Sequence, residues 1–458
     1  MTFSVDHLPA GLHLDPGTGQ IIGSLPQAGE YVLTFHASNS LGTAQRPFRI
    51  AVGERIGLTP AMGWNSWNCW GEGVNQARVL DAARAMIDSG LAQHGWTYIN
   101  IDDTWQGTRG GNLNAIQPNP RRFPDMGALV AEIHRLGLKA GIYSTPWTTS
   151  YAGRVGGSAE NPQGAWHPPA RKGPYRKKIL PYAIGQFSFA RPDAKQWALW
   201  GIDYLKYDWG PVELPESREM ADALRASGRD MIFSISNNTS GNVFGEVGEL
   251  SKVANSWRTT TDISDSWKSV CANGCNADKW APFAGPGHFN DPDMLVVGRV
   301  GWGKPHPSHL SPDEQYSHMS LWCLLSAPLL LGCDLNQLDP FTLGLLTNDE
   351  VLDVDQDSLG QQATMIARDG DTQIYAKRLE DGSWAVGFFG HGRTTAKATL
   401  QWSALGLSGP QTVRDLWREK DLGTFDGSFS AEPAVHGVVL IRVQGVRVQG
   451  SGFSLPEP

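Results

Sequence analysis

Thr97-Tyr-Ile-Asn-Ile101, followed at once by Asp102-Asp-Thr-Trp105, is the stretch on which the fold turns. The first part is a short apolar, β-branched run, as expected of a strand buried on both faces, and the acidic pair ends it. Ahead of it, Val79, Leu80, Ala83, Met86 and Ile87 recur at helical spacing along one face. Behind it, a second helical pattern around Leu129 to Leu136 leads into the strand Lys139-Ala-Gly-Ile-Tyr143. Strand and helix then keep alternating through Asp203-Tyr-Leu-Lys-Tyr207, Asp230-Met-Ile-Phe-Ser-Ile235 and Val253-Ala-Asn-Ser-Trp257. A strand near Phe289 follows, then a helix opened by the capping box Ser311-Pro-Asp-Glu314, with Pro312 at its first position, then Pro328 to Leu331. With Ala61 to Trp64 in front, the series reaches about eight strand–helix units over roughly 300 residues. That is a parallel (β/α)8 barrel of the α/β class.

Outside residues 55–362 the pattern changes. Residues 1–54 read as a small all-β unit: Tyr31-Val-Leu-Thr-Phe-His36 and Phe48-Arg-Ile-Ala-Val52 both alternate with period two. Residues 363–445 carry the strands Gln373 to Arg378, Trp384 to Phe389 and Gly437 to Val443 between Asp-Gly and Ser turns, a C-terminal antiparallel β-sandwich. A tail, 446–458, closes the chain. A net charge of −8 over 458 residues gives no basic face for nucleic acid, and no apolar run is long enough for a membrane span. Five scattered cysteines make no disulfide framework, although Cys271 and Cys275 could close a small loop. A zinc site would need a further ligand pair at suitable spacing, and the sequence places none nearby.

The chemistry should sit where barrel strands end. Trp64, Asp102, Asp103, Tyr143, Lys206, Asp208, Ser236 with Asn237-Asn238, Arg258, Asp262, and Asn290-Asp-Pro-Asp293 all fall at such ends. This is a bowl rich in carboxylates, with His288 as its sole histidine, read as structural. Glycoside hydrolysis needs such a bowl, with no cofactor and no metal: one carboxylate attacks the sugar or activates water and another protonates the leaving oxygen. Eighteen tryptophans fit sugar stacking, and Trp64, Trp105, Trp147 and Trp209 are expected around the rim.

Six motifs in order resemble glycoside hydrolase family 27, the α-galactosidase and α-N-acetylgalactosaminidase family. They are Thr59-Pro-Ala-Met-Gly-Trp-Asn-Ser-Trp67, Tyr98-Ile-Asn-Ile-Asp-Asp103, Gly141-Ile-Tyr-Ser144, Tyr204-Leu-Lys-Tyr-Asp208, Trp257-Arg258 with Asp262-Ile, and Asn290-Asp-Pro-Asp-Met-Leu295. The resemblance implies a retaining α-galactosidase with Asp208 as nucleophile and Asp262 as general acid/base, their carboxyl groups about 5–5.5 Å apart. It further implies that Lys206 holds Asp208 ionised and that Asp102 and Asp103 accept from O4 and O6 of the sugar. Arg258 and Ser236 would lie near the 2-position, Trp64 would form the apolar floor, and Tyr143 and Asp293 would complete the pocket. The partner implied is a galactose-containing oligosaccharide or polysaccharide; no motif reports on oligomeric state.

Three departures bear on substrate. The family's disulfide beside the nucleophile is missing, since Thr145-Pro-Trp147 and Trp209-Gly210 stand there. Ser236-Asn-Asn-Thr239 replaces the usual strand-five motif, and residues 156–183 form a long insertion with the basic cluster Arg171-Lys172 and Arg176-Lys-Lys178. α-N-Acetylgalactosaminides, β-L-arabinopyranosides and α-glucans are therefore alternative substrates. In other classes, a non-catalytic carbohydrate-binding barrel and a metal-dependent hydrolase are the rivals. Leu8 to Gly42 also resembles the Ig-like repeats found beside secreted bacterial enzymes. No signal peptide is visible, but that repeat implies an extracellular or periplasmic location.

Overall fold

The computed structural model describes residues 1–166, 175–179, 182–236 and 242–446. The chain divides into two compact units, Met1–Ile56 and Gly57–Pro458. The first is all-β. Thr2–Asp6, Gly29–Asn39 and Gly42–Val52 form an antiparallel sheet with Gly29–Asn39 in the middle, and Leu12–Leu14 pairs with Ile21–Gly23.

The second unit begins with the barrel. Its strands are β1 (Met62–Asn65), β2 (Tyr98–Asn100), β3 (Lys139–Ser144), β4 (Tyr204–Asp208), β5 (Ile232–Ser236), β6 (Ser256–Arg258), β7 (Phe289–Asp291) and β8 (Leu329–Leu331). All neighbours pair in parallel, in the order β7-β6-β5-β4-β3-β2-β1-β8. A parallel bridge between Leu295 and Leu331 closes the circle, with Leu295 N donating to Leu330 O at 2.8 Å. Sequence alternation thus becomes a barrel because each amphipathic helix must bury its apolar stripe against the sheet. The helix Gln76–Asp88 does so through Val79, Ala82, Ala83 and Met86, and Met126–Arg135 through Leu129, Val130 and Ile133. Their Asn75 and Asp125 caps accept from Arg78 N and Ala128 N, supplying partners to amides that a helix start leaves unpaired.

The C-terminal part is a six-stranded antiparallel sheet accompanied by the antiparallel strand pair Ala398–Gln401 and Ser428–Ala431. Between them lie Ile374, Val386, Phe388, Leu400, Trp402, Phe429 and Ile441. This is the sandwich the alternation predicts. The four tryptophans expected to be exposed around the rim, Trp64, Trp105, Trp147 and Trp209, are all fully buried, where an indole removes a large apolar surface from water. Trp64 Nε1 donates to Cys333 O at 2.8 Å and Trp105 Nε1 to Tyr143 O at 2.9 Å. Asn237 to Thr239, the Arg171-Lys172 pair and residues 447–458 lie outside the described residues, as do the side chains of Arg176 to Lys178. Among the described residues no helix is long and apolar enough to cross a membrane.

The capping box of the helix Pro312–Leu324 is formed in both directions: Glu314 N donates to Ser311 Oγ, and Ser311 N to the Glu314 carboxylate at 2.9 Å. Ser311→Ala should therefore lower the unfolding free energy by about 1 kcal/mol in urea denaturation, with the m-value unchanged.

Candidate active site

The barrel collects the predicted residues at one end because every strand runs the same way. Side chains two apart share a face, so Lys206 and Asp208 on β4 point together, and the register sets Asp208 beside Ser236. Asp102 and Asp103 follow β2, Tyr143 lies near the end of β3, Arg258 ends β6, Asp262 lies four residues beyond it, and Asp293 follows β7.

Two cations organise these carboxylates. Lys206 Nζ lies 2.7 Å from Asp102 Oδ2, which also accepts from Asn65 Nδ2 at 2.9 Å. Arg258 is buried and reaches two partners, Asp262 Oδ1 at 2.9 Å and Asp293 Oδ1 at 2.7 Å. The other oxygen of Asp293 accepts from Ile263 N at 2.8 Å, so this carboxylate fixes both Arg258 and the residue after Asp262. Asp293 is therefore as much a loop clamp as a pocket wall. Its φ of 84° is left-handed, and its backbone is held by Asp291 Oδ1 and by Trp322 Nε1. Asp103 is buried, and its two oxygens accept from Thr104 N and Ala152 N.

The electrostatics follow from this burial. Burial raises Asp208 to about 7; Lys206 pulls it down, while the charges of Asp262 and Asp102 push it up again. The close ion pair of Lys206 is with Asp102, and its charge also favours the ionised form of Asp208. Burial would depress Lys206, yet Asp102 and Asp208 outweigh that and raise it, so the ammonium stays charged. Burial also raises Asp293. Burial raises the Tyr143 phenol too, helped by Asp208, Asp103 and Asp102, and its hydroxyl has no hydrogen-bond partner among the described residues. A neutral phenol beside three carboxylates is a donor available to a ligand. Asp262 differs from the rest, with its side chain 59 % exposed.

A small recess, about 10 Å³, is lined by Lys206, Ser236, Arg258 and Asp293 together with Tyr204 and Ser234. Asn65 lines it as well, and sequence reading passed over that residue although it stands within the first motif. Tyr151 and Tyr182 were also missed. Tyr182 stacks on Trp147 with ring centroids 4.1 Å apart, and Tyr151 meets both rings edge-on. The charges of Asp208 and Asp262 both act on Tyr151, and those of Asp103 and Asp208 on Tyr182, so this aromatic wall belongs to the site. Nothing in the local sequence signals it, because Tyr182 stands far along the chain from Trp147 and from Asp103.

A family model described as alpha galactosidase A matches residues 59–162 and 177–357. The chain belongs to glycoside hydrolase family 27. It is a glycoside hydrolase, and the stretch its family model skips, 163–176, falls within the insertion. A model for the alpha galactosidase C-terminal β-sandwich matches 369–443, and an Ig domain model matches 1–53. The chain is 36 % identical to an α-galactosidase of Coffea arabica, covering 87 % of this chain and 97 % of that one. Among solved structures it resembles α-galactosidase I from Mortierella vinacea, at 31 % identity and TM-score 0.73, over 86 % of this chain and 98 % of that one. It also resembles a family 27 β-L-arabinopyranosidase from Geobacillus stearothermophilus, at 26 % identity and TM-score 0.74, with the same coverage.

The raised Asp208 has a stability consequence. Its folded pKa, about 7, exceeds the unfolded value of about 3.9, so the fold disfavours its ionised form. That penalty is absent below pH ~4, grows between the two values and is complete above about 7. Asp208→Asn should then raise Tm, and by more at pH 8 than at pH 4; an increment that is flat with pH would contradict the assignment.

Proposed function

We propose that the protein is an exo-acting α-galactosidase working by double displacement, with Asp208 as nucleophile and Asp262 as acid/base. What carries this reading is the pairing of a buried carboxyl at a strand end with an exposed one whose charge it feels, on a chain whose relatives include α-galactosidases. In the first step an Asp208 oxygen bonds to the anomeric carbon as the bond to the leaving oxygen breaks, and Asp262 gives that oxygen its proton. In the second, Asp262 takes a proton from water, whose oxygen displaces Asp208 and restores the original configuration. Loss of the Asp208 charge on glycosylation is what lets Asp262 change from acid to base.

The sugar contacts follow from the same geometry. Asp102 is held rigid by Lys206, Asn65 and the Asp103 amide, so its remaining lone pairs are fixed acceptors for the 4- and 6-hydroxyls. Lys206 and the Tyr143 hydroxyl are donors beside them. The likeness to an arabinopyranosidase favours β-L-arabinopyranosides as a second substrate, since that sugar has the galactose hydroxyl pattern without C6.

Among 4-nitrophenyl glycosides, the α-D-galactoside should be turned over fastest, ahead of the β-L-arabinopyranoside, the α-N-acetylgalactosaminide and the α-D-glucoside. Roles are separated by azide rescue. Asp208→Gly with azide should release β-galactosyl azide, and Asp262→Gly should release the α-anomer. Asp262→Asn should lose on the order of 10²–10⁴ in kcat/KM on substrates with poor leaving groups. The same anomer from both glycine variants would refute the assignment.

A further inference from the structure

Helix Trp267–Gly274 carries Cys271, and Cys275 caps its C-terminal end, so the two thiols lie one turn apart on one face. His391 follows the strand Trp384–Gly390 of the sandwich. Sequence spacing hides this neighbour, since more than a hundred residues separate it from the pair. The fold brings one donor atom from each of the three within 4.8 Å of the others. Cys271 Sγ lies 3.9 Å from His391 Nδ1, and the Cys275 sulfur lies within 4.8 Å of both. His391 Nε2 is buried and has no hydrogen-bond partner within the described protein. Trp267 walls the cluster, 5.7 Å from the His391 ring.

Tetrahedral zinc, with bonds of about 2.3 Å to sulfur and 2.0–2.1 Å to nitrogen, separates its ligand atoms by about 3.5–3.8 Å. The three donors need to contract by only a few tenths of an ångström to about one ångström to meet that geometry. We propose that Cys271, Cys275 and His391 form a structural site for one zinc-class divalent cation, completed by solvent. Two thiolates and an imidazole are soft and borderline donors, which select this class over magnesium or calcium. Cys271 and His391 are only half buried, leaving room for a water as fourth ligand, and binding releases the thiol protons.

The site pins a barrel helix to the sandwich, and it lies behind the acid/base loop. Asn273, between the two cysteines, donates through Nδ2 to Thr261 O and Pro292 O, each at 3.0 Å. Those carbonyls belong to the residue before Asp262 and the residue before Asp293. The cation would stiffen this support without touching the substrate.

The test uses the full chain, reduced and stripped with chelator, then titrated with Co²⁺. One equivalent should bind, with a thiolate-to-cobalt charge-transfer band and the visible bands of a tetrahedral ion, and Zn²⁺ should displace it. Zn²⁺ should also raise Tm and protect Cys271 from alkylation in the unmutated protein, a readout that needs no variant to fold. Cys271→Ser and His391→Ala should each weaken Co²⁺ binding at least tenfold while leaving galactoside turnover at 25 °C unchanged. No band, a band that survives both substitutions, or a Cys271–Cys275 disulfide whose reduced form takes up no cobalt would overturn the proposal.

Discussion

The barrel mouth exists in its observed form because two buried cations separate a crowd of carboxylates. Lys206 pairs with Asp102 and acts on Asp208; Arg258 bridges Asp262 and Asp293 and also feels Asp291 and Asp208. Withdrawing so many negative charges from water would be prohibitive without these partners. Removing one member of a buried pair typically costs about 3–5 kcal/mol, because the other is left uncompensated. The residual imbalance is visible at Asp208 and Asp293, both raised by burial despite a nearby cation.

Support for the two central carboxylates comes from different depths. Asp208 ends a strand that is hydrogen-bonded on both sides, so its position is set by the barrel itself. Asp262 sits on a loop and depends on Arg258, on Asp293 holding the Ile263 amide, and on Asn273 holding Thr261. On the proposed double displacement, the buried strand end suits a nucleophile, which needs fixed geometry, and the partly exposed loop suits an acid/base, which exchanges protons with a leaving group and then with water.

Several expectations changed once packing was known. Trp64, Trp105 and Trp209 proved to be core residues, while Trp147, itself buried, packs with Tyr151 and Tyr182 in an aromatic wall beside the carboxylates. Tryptophan composition reports apolar surface to be covered but not which partner covers it. The two-residue spacing of Lys206 and Asp208 fixes only a shared face; it does not reveal Asp102, which makes the close contact with Lys206. The separation of Cys271 and Cys275 from His391 along the chain likewise concealed a cluster that only the meeting of barrel and sandwich assembles.

By itself, the sequence determined the strand–helix alternation, the two flanking β regions, and the set of polar residues at the strand ends. Those follow from periodicity and from strand direction, which are local properties: a parallel barrel must present residues such as Asp102, Lys206, Asp208 and Arg258 at one end. Tertiary structure alone decided which cation meets which carboxylate, how deep each group lies, and which loop supplies the aromatic wall. The reason is physical. Ion pairs, desolvation and ring stacking depend on distances between atoms far apart in the chain, such as Lys206 and Asp102 or Trp147 and Tyr182, and no local pattern encodes those distances.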